Sequence, residues 1–347
     1  MPLSWFYNVI INARNALYDK GAFKSHSLGV PVVSIGNITV GGTGKTPLVA
    51  LVAEILADAG ETVCILTRGY GRENSKQRVL VSDGERILAT PKQSGDEPLE
   101  LARKLAGKAF IVADANRVAA GNWARKKFGI TAFVLDDAFQ HRRVERDLDI
   151  VCVDATNPFG NGKSLPSGIL REPLENLKRA DAIVITRTNL IKDVADLKRR
   201  IAKYNSHCPI FVSENRISNL IDLKDFHAPT LHSQTAPNSQ QRTANSVFAF
   251  CALGNPENFF EQLRQENYDL TATEKFPDHH FYTSGDIEKL SEKAKKTGAK
   301  ILLTTAKDVV KLKNLNVEMP CYVVEIKMIF DDADNFRDWL LQVKNED

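Results

Sequence analysis

A glycine-rich segment at residues 35–47, reading IGNITVGGTGKTP, constrains the fold of this chain more than any other segment. An apolar, β-branched run precedes it, and apolar residues at helical spacing follow it. The order strand, loop, helix is the setting in which a Walker A phosphate loop occurs. In such a loop glycines let backbone N–H groups approach an anion, and the N-terminus of the helix favours negative charge. The chain is therefore predicted to bind a nucleoside triphosphate.

Within the loop, Lys45 is expected to reach the β- and γ-phosphates and Thr46 to ligate Mg²⁺. The common pattern has a glycine where this chain has Thr39, and the deviant loops of partitioning ATPases carry a signature lysine where it has Val40. A glycine-rich turn without a ligand is the alternative, which Lys45 and the flanking elements disfavour. The residues predicted to hold the nucleotide are Thr39, Val40, Gly41, Gly42, Thr43, Gly44, Lys45 and Thr46.

Strand-like and helix-like segments alternate from residue 31 to about residue 213. The strand candidates are continuous apolar runs, as expected for a parallel sheet that is covered on both faces. We therefore predict an α/β fold with a doubly wound, mostly parallel sheet of the P-loop NTPase type and a second, smaller α/β domain. The predicted boundaries are an amphipathic N-terminal helix at 1–24, a P-loop nucleotide-binding core at 25–213, a linker at 214–245 and a smaller C-terminal α/β domain at 246–347.

Composition narrows the class of protein. The 347 residues exceed one ordinary small domain. A formal net charge of +3 gives no argument for nucleic acid, and no nucleic-acid partner is predicted. The five cysteines lack metal-ligand spacing and four lie in apolar strand-like runs, which predicts buried free thiols in a reducing compartment. No run approaches the roughly 20 apolar residues of a membrane-spanning helix.

The first helix, predicted over residues 2–20, is amphipathic. Trp5, Phe6, Val9 and Ile10 begin an apolar series at steps of three and four, and asparagines lie largely on the other side. Such a helix can lie in a membrane interface or pack on its own domain, and the pattern alone leaves both interpretations open.

Two acidic pairs are candidates for chemistry. Asp136 and Asp137 follow an apolar strand, as a Walker B segment does when it holds Mg²⁺. Asp96 and Glu97 follow a glycine at a predicted helix start. There Asp96 is a candidate general base for an attacking hydroxyl and Glu97 a candidate neighbour of the metal, although an N-cap explains the same residues.

Two further motifs carry charge. Residues 67–72, TRGYGR, place Arg68 after the second predicted strand, where a guanidinium suits a phosphate; a solvated turn is the alternative. Residues 276–280, FPDHH, place Asp278 beside His279 and His280 in the second domain. Because no other Cys/His cluster in the sequence completes a metal shell, a catalytic histidine facing the cleft is preferred over zinc.

As a set in this order, the motifs resemble those of the tetraacyldisaccharide 4′-kinase family, the lipid A 4′-kinases of Gram-negative bacteria. The resemblance covers nearly the whole chain: the aromatic N-terminal helix, GNITVGGTGKTP, TRGYGR, GDEP, DDAFQH, LPSGILREP, GNPENFF, FPDHH and TTAKD. Ala138 stands where the family usually has glycine, and residues 251–253 replace a Gly-Ile pair before Gly254. Residues 113–115 match loosely, which leaves the role of Asp114 open.

The resemblance also implies residue roles. Asp96 matches the catalytic base, and His279 matches the residue that assists it from the second domain. The implied metal ligands are Thr46, Glu97, Asp136 and Asp137. The positions implied for the disaccharide and its phosphate are Arg68, Tyr70, Arg117, Gln140, His141 and Arg171.

The implied reaction is transfer of the γ-phosphate of ATP, with Mg²⁺, to the 4′-hydroxyl of a tetraacylated glucosamine disaccharide 1-phosphate. A substrate with four acyl chains stays in the bilayer, because each buried CH₂ contributes about 0.8 kcal/mol. The enzyme is therefore expected in the cytoplasm, bound peripherally to the cytoplasmic face of the inner membrane through its N-terminal helix, with no obligate protein partner. A histidine in the second domain also predicts hinge closure around ATP.

Two other classes of protein remain as alternatives. A membrane-associated ATPase switch of the partitioning type would hydrolyse ATP without an acceptor, but Val40 and the acidic and histidine pairs argue against it. A GTP-using metallochaperone is disfavoured because the sequence has no Cys/His cluster.

Overall fold

The computed structural model describes residues 2–226 and 246–342, and its strands form one continuous twelve-stranded sheet. In chain order the strands are β1 Val32–Asn37, β2 Val63–Thr67, β3 Val79–Asp83, β4 Ala109–Ala113, β5 Ala132–Asp136, β6 Leu148–Asp154, β7 Ala182–Thr186, β8 Ile210–Asp222, β9 Val247–Cys251, β10 Leu270–Lys275, β11 Ile301–Thr305 and β12 Cys321–Phe330. Their order across the sheet is β10-β9-β11-β12-β8-β7-β6-β1-β5-β2-β4-β3.

Apart from the first and the last, the described helices lie between these strands in the chain, as in an α/β fold. They are α1 Pro2–Asp19, α2 Lys45–Asp58, α3 Pro91–Ser94, α4 Asp96–Lys104, α5 Arg117–Phe128, α6 Val194–Ala202, α7 Leu223–Phe226, α8 Pro256–Gln265, α9 Ser284–Lys296, α10 Ala306–Val309 and α11 Ala333–Leu341, with two 3₁₀ turns at Leu174–Arg179 and Thr188–Leu190. None of the helices described here has the length and apolarity needed to cross a bilayer.

The predicted α/β class with a mostly parallel sheet is confirmed. Every residue of β1, β5, β7 and β9 is buried, which explains why these strands are continuous apolar runs rather than alternating ones. Four of the cysteines are buried free thiols, as expected, and Cys208 is half-buried. The core therefore lies on both faces of the sheet.

The sheet consists of two mostly parallel blocks joined by the antiparallel pair β8–β12, and β3 at one edge also pairs antiparallel, with β4. The prediction of a linker at 214–245 is wrong over its first part, because β8 continues to Asp222 and α7 follows. This part of β8 is polar in composition because exposed polar residues alternate with buried apolar ones: Ile217 and Leu220 are buried, whereas Arg216 and Ser218 are exposed. Residues 227–245 of that prediction lie outside the described residues, as do Met1 and residues 343–347.

The carboxyl ends of the parallel strands in the first block meet at one edge of the sheet, where ligands of open α/β folds bind. β1 lies between β6 and β5, and Ile35 is in register with Asp136 at the end of β5. The chain leaves β1 through α2 and returns at β2, on the β5 side of β1. The glycine-rich loop and the predicted Walker B pair are therefore neighbours at this edge.

Candidate active site

The glycine-rich loop connects β1 to α2, and α2 begins at Lys45 directly after Gly44, whose φ of 80° is left-handed. Asn37 Nδ2 donates a hydrogen bond to Thr43 Oγ1 at 2.9 Å. Thr186 Oγ1 donates to the Thr43 carbonyl at 2.9 Å. The end of β1 and the end of β7 thus fix the loop from behind, while Gly41 and Gly42 stay exposed.

Asp136, the last residue of β5, is buried beside the loop and accepts a hydrogen bond from Thr67 Oγ1 at 2.9 Å. Burial, Glu97 and Asp137 together raise the pKa of the Asp136 carboxyl to about 6. A nearby cation would stabilise the ionised form of this carboxyl group, which fits the metal-ligand function predicted for Asp136.

Asp137 has a left-handed φ of 48°, so the chain turns sharply after β5. Lys45 Nζ lies 3.4 Å from Asp137 Oδ1, and Arg171 Nη1 lies 2.9 Å from both carboxylate oxygens. Burial would raise the pKa of Asp137, but Lys45 and Arg171 outweigh it and lower the pKa to about 2. The ammonium of the loop lysine is therefore paired with this carboxylate.

Asp96 is the first residue of α4 and is 6% exposed. Its Oδ2 lies 3.3 Å from His279 Nδ1 and 2.9 Å from Lys311 Nζ, both from the C-terminal half of the chain. Burial would raise the pKa of Asp96, but its hydrogen bonds with His279 and Lys311 outweigh burial and lower the pKa. Asp96 is therefore a carboxylate at neutral pH, able to accept a proton.

The turn before Asp96 requires glycine. Gly95 has φ 89° and ψ 169°, a conformation that is essentially restricted to glycine. A Cβ on Gly95 would lie 2.4 Å from the Tyr70 carbonyl oxygen. Tyr70 in turn packs against His279, with ring centroids 5.4 Å apart. The GDEP and TRGYGR motifs therefore pack on each other and orient the Asp96–His279 pair.

These groups surround a cleft of about 740 Å³ that both halves of the chain line. Arg68 is exposed on its wall. The residues predicted from the sequence that line this cleft are Val40, Gly41, Gly42, Thr43, Gly44, Lys45, Thr46, Arg68, Tyr70, Glu97, Arg117, Asp136, Asp137, Arg171 and His279.

Four predicted site residues lie behind or beside this wall. Asp96 is covered by His279 and Lys311. Thr39 is buried and bridges to Leu170, so it supports the loop from beneath. Gln140 Nε2 donates to the Asn37 carbonyl at 2.9 Å.

The fourth, His141, has an imidazole that is half-buried among cations. Burial, Arg117 and Arg146 lower the pKa of His141 to about 3, so its ring is neutral. Its Nε2 is buried and has no hydrogen-bond partner among the described residues. The neutral ring retains an unused polar atom that could meet a ligand hydroxyl.

Arg117 is almost fully buried at the start of α5. Its guanidinium donates to the backbone carbonyls of Asp136 and Asp137. Arg117 thus fixes the backbone of the predicted Walker B pair, a support that the sequence pattern did not indicate.

Sequence reasoning missed a second link between the halves. Arg187, with a left-handed φ of 60°, donates to the Gly42 carbonyl at 2.7 Å and contacts the Asp154 carboxylate. Asn258 Nδ2 on α8 lies 3.3 Å from the same carboxylate. Asp154 ends an apolar run just as Asp136 does, and this was the signal that could have identified it.

Two other polar residues prove to be structural. His280 Nε2 lies 3.1 Å from Asp286 Oδ2 and its ring stacks on Phe276. Asp114 accepts from Arg78 Nε and from the Asn116 backbone at 2.8 Å each, so it fixes the turn before α5. Over residues 2–226 and 246–342, no group of three or more His, Cys, Asp or Glu side chains is arranged to hold a metal by itself.

Comparison with known proteins gives one consistent result. A model of the family described as tetraacyldisaccharide-1-P 4′-kinase matches residues 1–345. The tetraacyldisaccharide 4′-kinase of Desulfotalea psychrophila is 36% identical over 327 residues, which cover 92% of this chain and 89% of the relative. The enzyme of the same name from Desulfatibacillum aliphaticivorans is 36% identical over 342 residues, covering 97% of this chain and 90% of the relative.

A solved structure agrees. LpxK from Aquifex aeolicus, crystallised in complex with ATP, has 30% sequence identity and a TM-score of 0.77 to this chain. The match covers 99% of this chain and 97% of that one.

Proposed function

Because this chain belongs to the tetraacyldisaccharide-1-P 4′-kinase family, we propose that its cleft transfers the γ-phosphate of ATP to the 4′-hydroxyl of a tetraacyldisaccharide 1-phosphate in lipid A biosynthesis. One observation carries the proposal: Asp96 and His279 meet beside the cleft that holds Lys45 and Asp137. A buried, ionised base next to a phosphate loop is what phosphoryl transfer to an alcohol requires.

The phosphates of ATP would bind at the glycine-rich loop. The exposed backbone of Gly41 and Gly42 and the N-terminus of α2 offer N–H groups to an anion. Lys45, now paired with Asp137 at 3.4 Å, would exchange this carboxylate for the β- and γ-phosphates. The loop binds the anion with little rearrangement, because Asn37 and Thr186 already hold it.

The donor set fits Mg²⁺. Thr46, Asp136 and Asp137, with Glu97 nearby, provide the hydroxyl and carboxylate oxygens that this ion prefers. The described residues form no closed metal centre, which suits an ion that takes several ligands from phosphates and water. When bound, Mg²⁺ neutralises charge on the β- and γ-phosphates.

Asp96 would act as the general base. Its carboxylate accepts the proton of the 4′-hydroxyl as the oxygen attacks phosphorus. His279 Nδ1, 3.3 Å from Asp96 Oδ2, orients the carboxylate and favours its ionised form. Because the Asp96 carboxylate is covered in this conformation, the side chain of His279 or Lys311 must move slightly when the 4′-hydroxyl binds.

The acceptor would lie on the side of the cleft that carries Arg68 and Tyr70. Both are exposed there, and Tyr70 touches the His279 ring. A guanidinium suits the 1-phosphate of the disaccharide. Arg171 is less available to bind this phosphate, because its guanidinium already forms an ion pair with Asp137. Gln140 and His141 stand behind this region and would orient sugar hydroxyls.

The exposed apolar side chains of the N-terminal helix α1 support the proposal that this helix contacts a membrane. The side chains of Leu3, Trp5, Phe6 and Ile10 are each more than half exposed. Three polar residues point inward instead: Ser4 donates to the Ser164 carbonyl, Tyr7 to the Arg171 carbonyl and Asn15 to Glu172, all within 2.9 Å. An amphipathic helix that turns its apolar face outward fits a bilayer interface, and we propose peripheral binding at the cytoplasmic face of the inner membrane.

The decisive experiment incubates the protein with Mg-ATP and tetraacyldisaccharide 1-phosphate in mixed micelles and follows the lipid by mass spectrometry. We expect the lipid to gain one phosphoryl group at the 4′-oxygen. ATP hydrolysis with an unchanged lipid would instead favour an ATPase switch, and the kinase proposal would fail.

A further inference from the structure

Lys307 lies on α10, in the C-terminal half of the sheet, and lines the same cleft as the phosphate loop. Its Nζ lies 3.0 Å from Asp278 Oδ1 and 3.9 Å from Glu97 Oε1. The Lys307 side chain is 12% exposed, whereas those of Asp278 and Glu97 are 42% and 41% exposed. The Lys307 ammonium is therefore mostly buried in the cleft wall, and its two carboxylate partners are more exposed than it is.

The backbone that carries Lys307 is held rigidly. The next residue, Asp308, is completely buried. Its carboxylate accepts from the Ala252 backbone N–H at 3.1 Å and from Thr305 Oγ1 at 2.7 Å. These bonds join the end of β11 to the end of β9, so the Lys307 side chain extends from a fixed point.

Lys307 is close to the reacting groups on two sides. Its partner Asp278 directly precedes His279, which contacts Asp96. A Cβ on Gly254 would lie 3.2 Å from Asp278 Oδ2 and 4.0 Å from Gly41 Cα, so the Asp278–Lys307 pair and the phosphate loop both border Gly254. The attacking oxygen at Asp96 and the phosphorus must come within about 3.5 Å of each other for reaction. This requirement places the γ-phosphate between Asp96 and the loop.

We propose that Lys307 is a catalytic residue whose ammonium contacts the γ-phosphoryl group during transfer. The inference rests on the kinase function proposed above. In the step concerned, the 4′-oxygen forms a bond to the γ-phosphorus and its proton passes to Asp96. The bond between the γ-phosphorus and the β,γ-bridging oxygen breaks, and ADP leaves with that electron pair. Lys307 forms no covalent bond; it balances negative charge on the transferring group.

The role corresponds to the cationic finger of other phosphoryl-transfer enzymes. Lys45 approaches the phosphates from the first parallel block, and Lys307 would approach from the second. Both lysines are held by carboxylates in this structure, Asp137 and Asp278, at 3.4 Å and 3.0 Å. A purely structural function, in which Lys307 only neutralises Asp278 and Glu97, predicts no special affinity for a transition-state mimic.

The test compares Lys307→Met, which keeps chain length, with Lys307→Arg, which keeps the charge. Lys313→Met, at an exposed position beyond α10, is the matched control for a lost surface charge. For each variant we would measure kcat, the Kd for Mg-ADP and the Kd for Mg-ADP with fluoroaluminate, a planar mimic of the transferring phosphoryl group.

Lys307→Met should lower kcat by about 10²-fold or more and weaken binding of the fluoroaluminate complex by a similar factor, with the Kd for Mg-ADP close to wild type. Lys307→Arg should restore part of both losses, and Lys313→Met should change neither. Undiminished fluoroaluminate binding in Lys307→Met would overturn the proposal, as would an equal loss of ADP binding. The fluoroaluminate measurement needs no acceptor, so it tests Lys307 even if the lipid assay were to refute the proposed function.

Discussion

His279 Nδ1 lies 3.3 Å from Asp96 Oδ2, although the two residues are 183 positions apart in the chain. His279 adopts a left-handed φ of 61° to reach this position, and backbone strain of this kind collects at functional sites. The contact joins the two halves of the chain beside the cleft that the phosphate loop lines. Hinge closure around ATP stays a prediction.

Replacing the proposed base should separate chemistry from binding. Asp96→Asn removes the proton acceptor and should lower kcat for lipid phosphorylation by about 10²- to 10⁴-fold. ATP affinity, measured by calorimetry, should stay near wild type because Asp96 lies behind the cleft wall. Asp196→Asn on α6, an exposed carboxylate, serves as the isosteric control. An Asp96→Asn enzyme with normal turnover would remove Asp96 from the mechanism.

The turn at Gly95 should tolerate no side chain. Gly95→Ala places a Cβ 2.4 Å from the Tyr70 carbonyl at a positive φ, so we expect a loss of unfolding free energy of at least about 1–3 kcal/mol together with reduced kcat. Gly60→Ala, at φ 90° with open space around it, carries the strain of the φ angle without the clash. Urea denaturation measures both variants, and equal losses would mean that the Tyr70 contact is unimportant.

The apolar face of α1 should control membrane binding. We expect the triple variant Trp5→Ser, Phe6→Ser, Ile10→Ser to sediment with liposomes at least about tenfold more weakly, since each large side chain contributes about 1 kcal/mol or more on burial. Substitution is a cleaner test than deletion of the helix, because Ser4 and Asn15 form hydrogen bonds with the rest of the protein that a deletion would also remove. Leu88→Ser, an exposed apolar residue elsewhere, is the control. Unchanged sedimentation of the triple variant would exclude this face as the membrane contact.

His141 should remain neutral across the physiological range. Burial and the neighbouring arginines lower the pKa of His141 to about 3 from the ordinary value of 6.5. As pH falls from 6.5 towards 3, the unfolded chain takes up a proton that the folded chain does not, so this residue reduces stability on acidification. The NMR signals of the His141 ring should not shift between pH 5 and pH 8, whereas in urea they should titrate near about 6.5. Titration in the folded protein would contradict the buried, cation-rich environment.

The sequence predicted the elements whose signals are local. The strand, loop and helix around Lys45 were identified because glycine content, apolar runs and the lysine lie within fifteen or so residues of one another. The Asp136–Asp137 pair was identified for the same reason, since an apolar run leads directly into it. Parallel strands buried on both faces are recognisable without tertiary information.

Features that depend on distant contacts were harder to predict. The edge strand β3 was missed, and the polar half of β8 was interpreted as linker, because both are partly solvated and pair antiparallel. Lys311 and Arg187 carry no local signal that distinguishes them from surface cations. Their functions arise only because the sheet brings α10 to α4 and β7 to the phosphate loop.

The antiparallel pairing of β8 with β12 has a mechanical consequence. Neighbouring strands are hydrogen-bonded from β10 to β3, so both walls of the cleft belong to one continuous sheet. Motion of one block relative to the other must bend or shear the sheet at this antiparallel pair, whose register shifts between Glu325 and Ile326. The rate at which ADP escapes would then depend on how stiff this junction is, far from any atom that reacts.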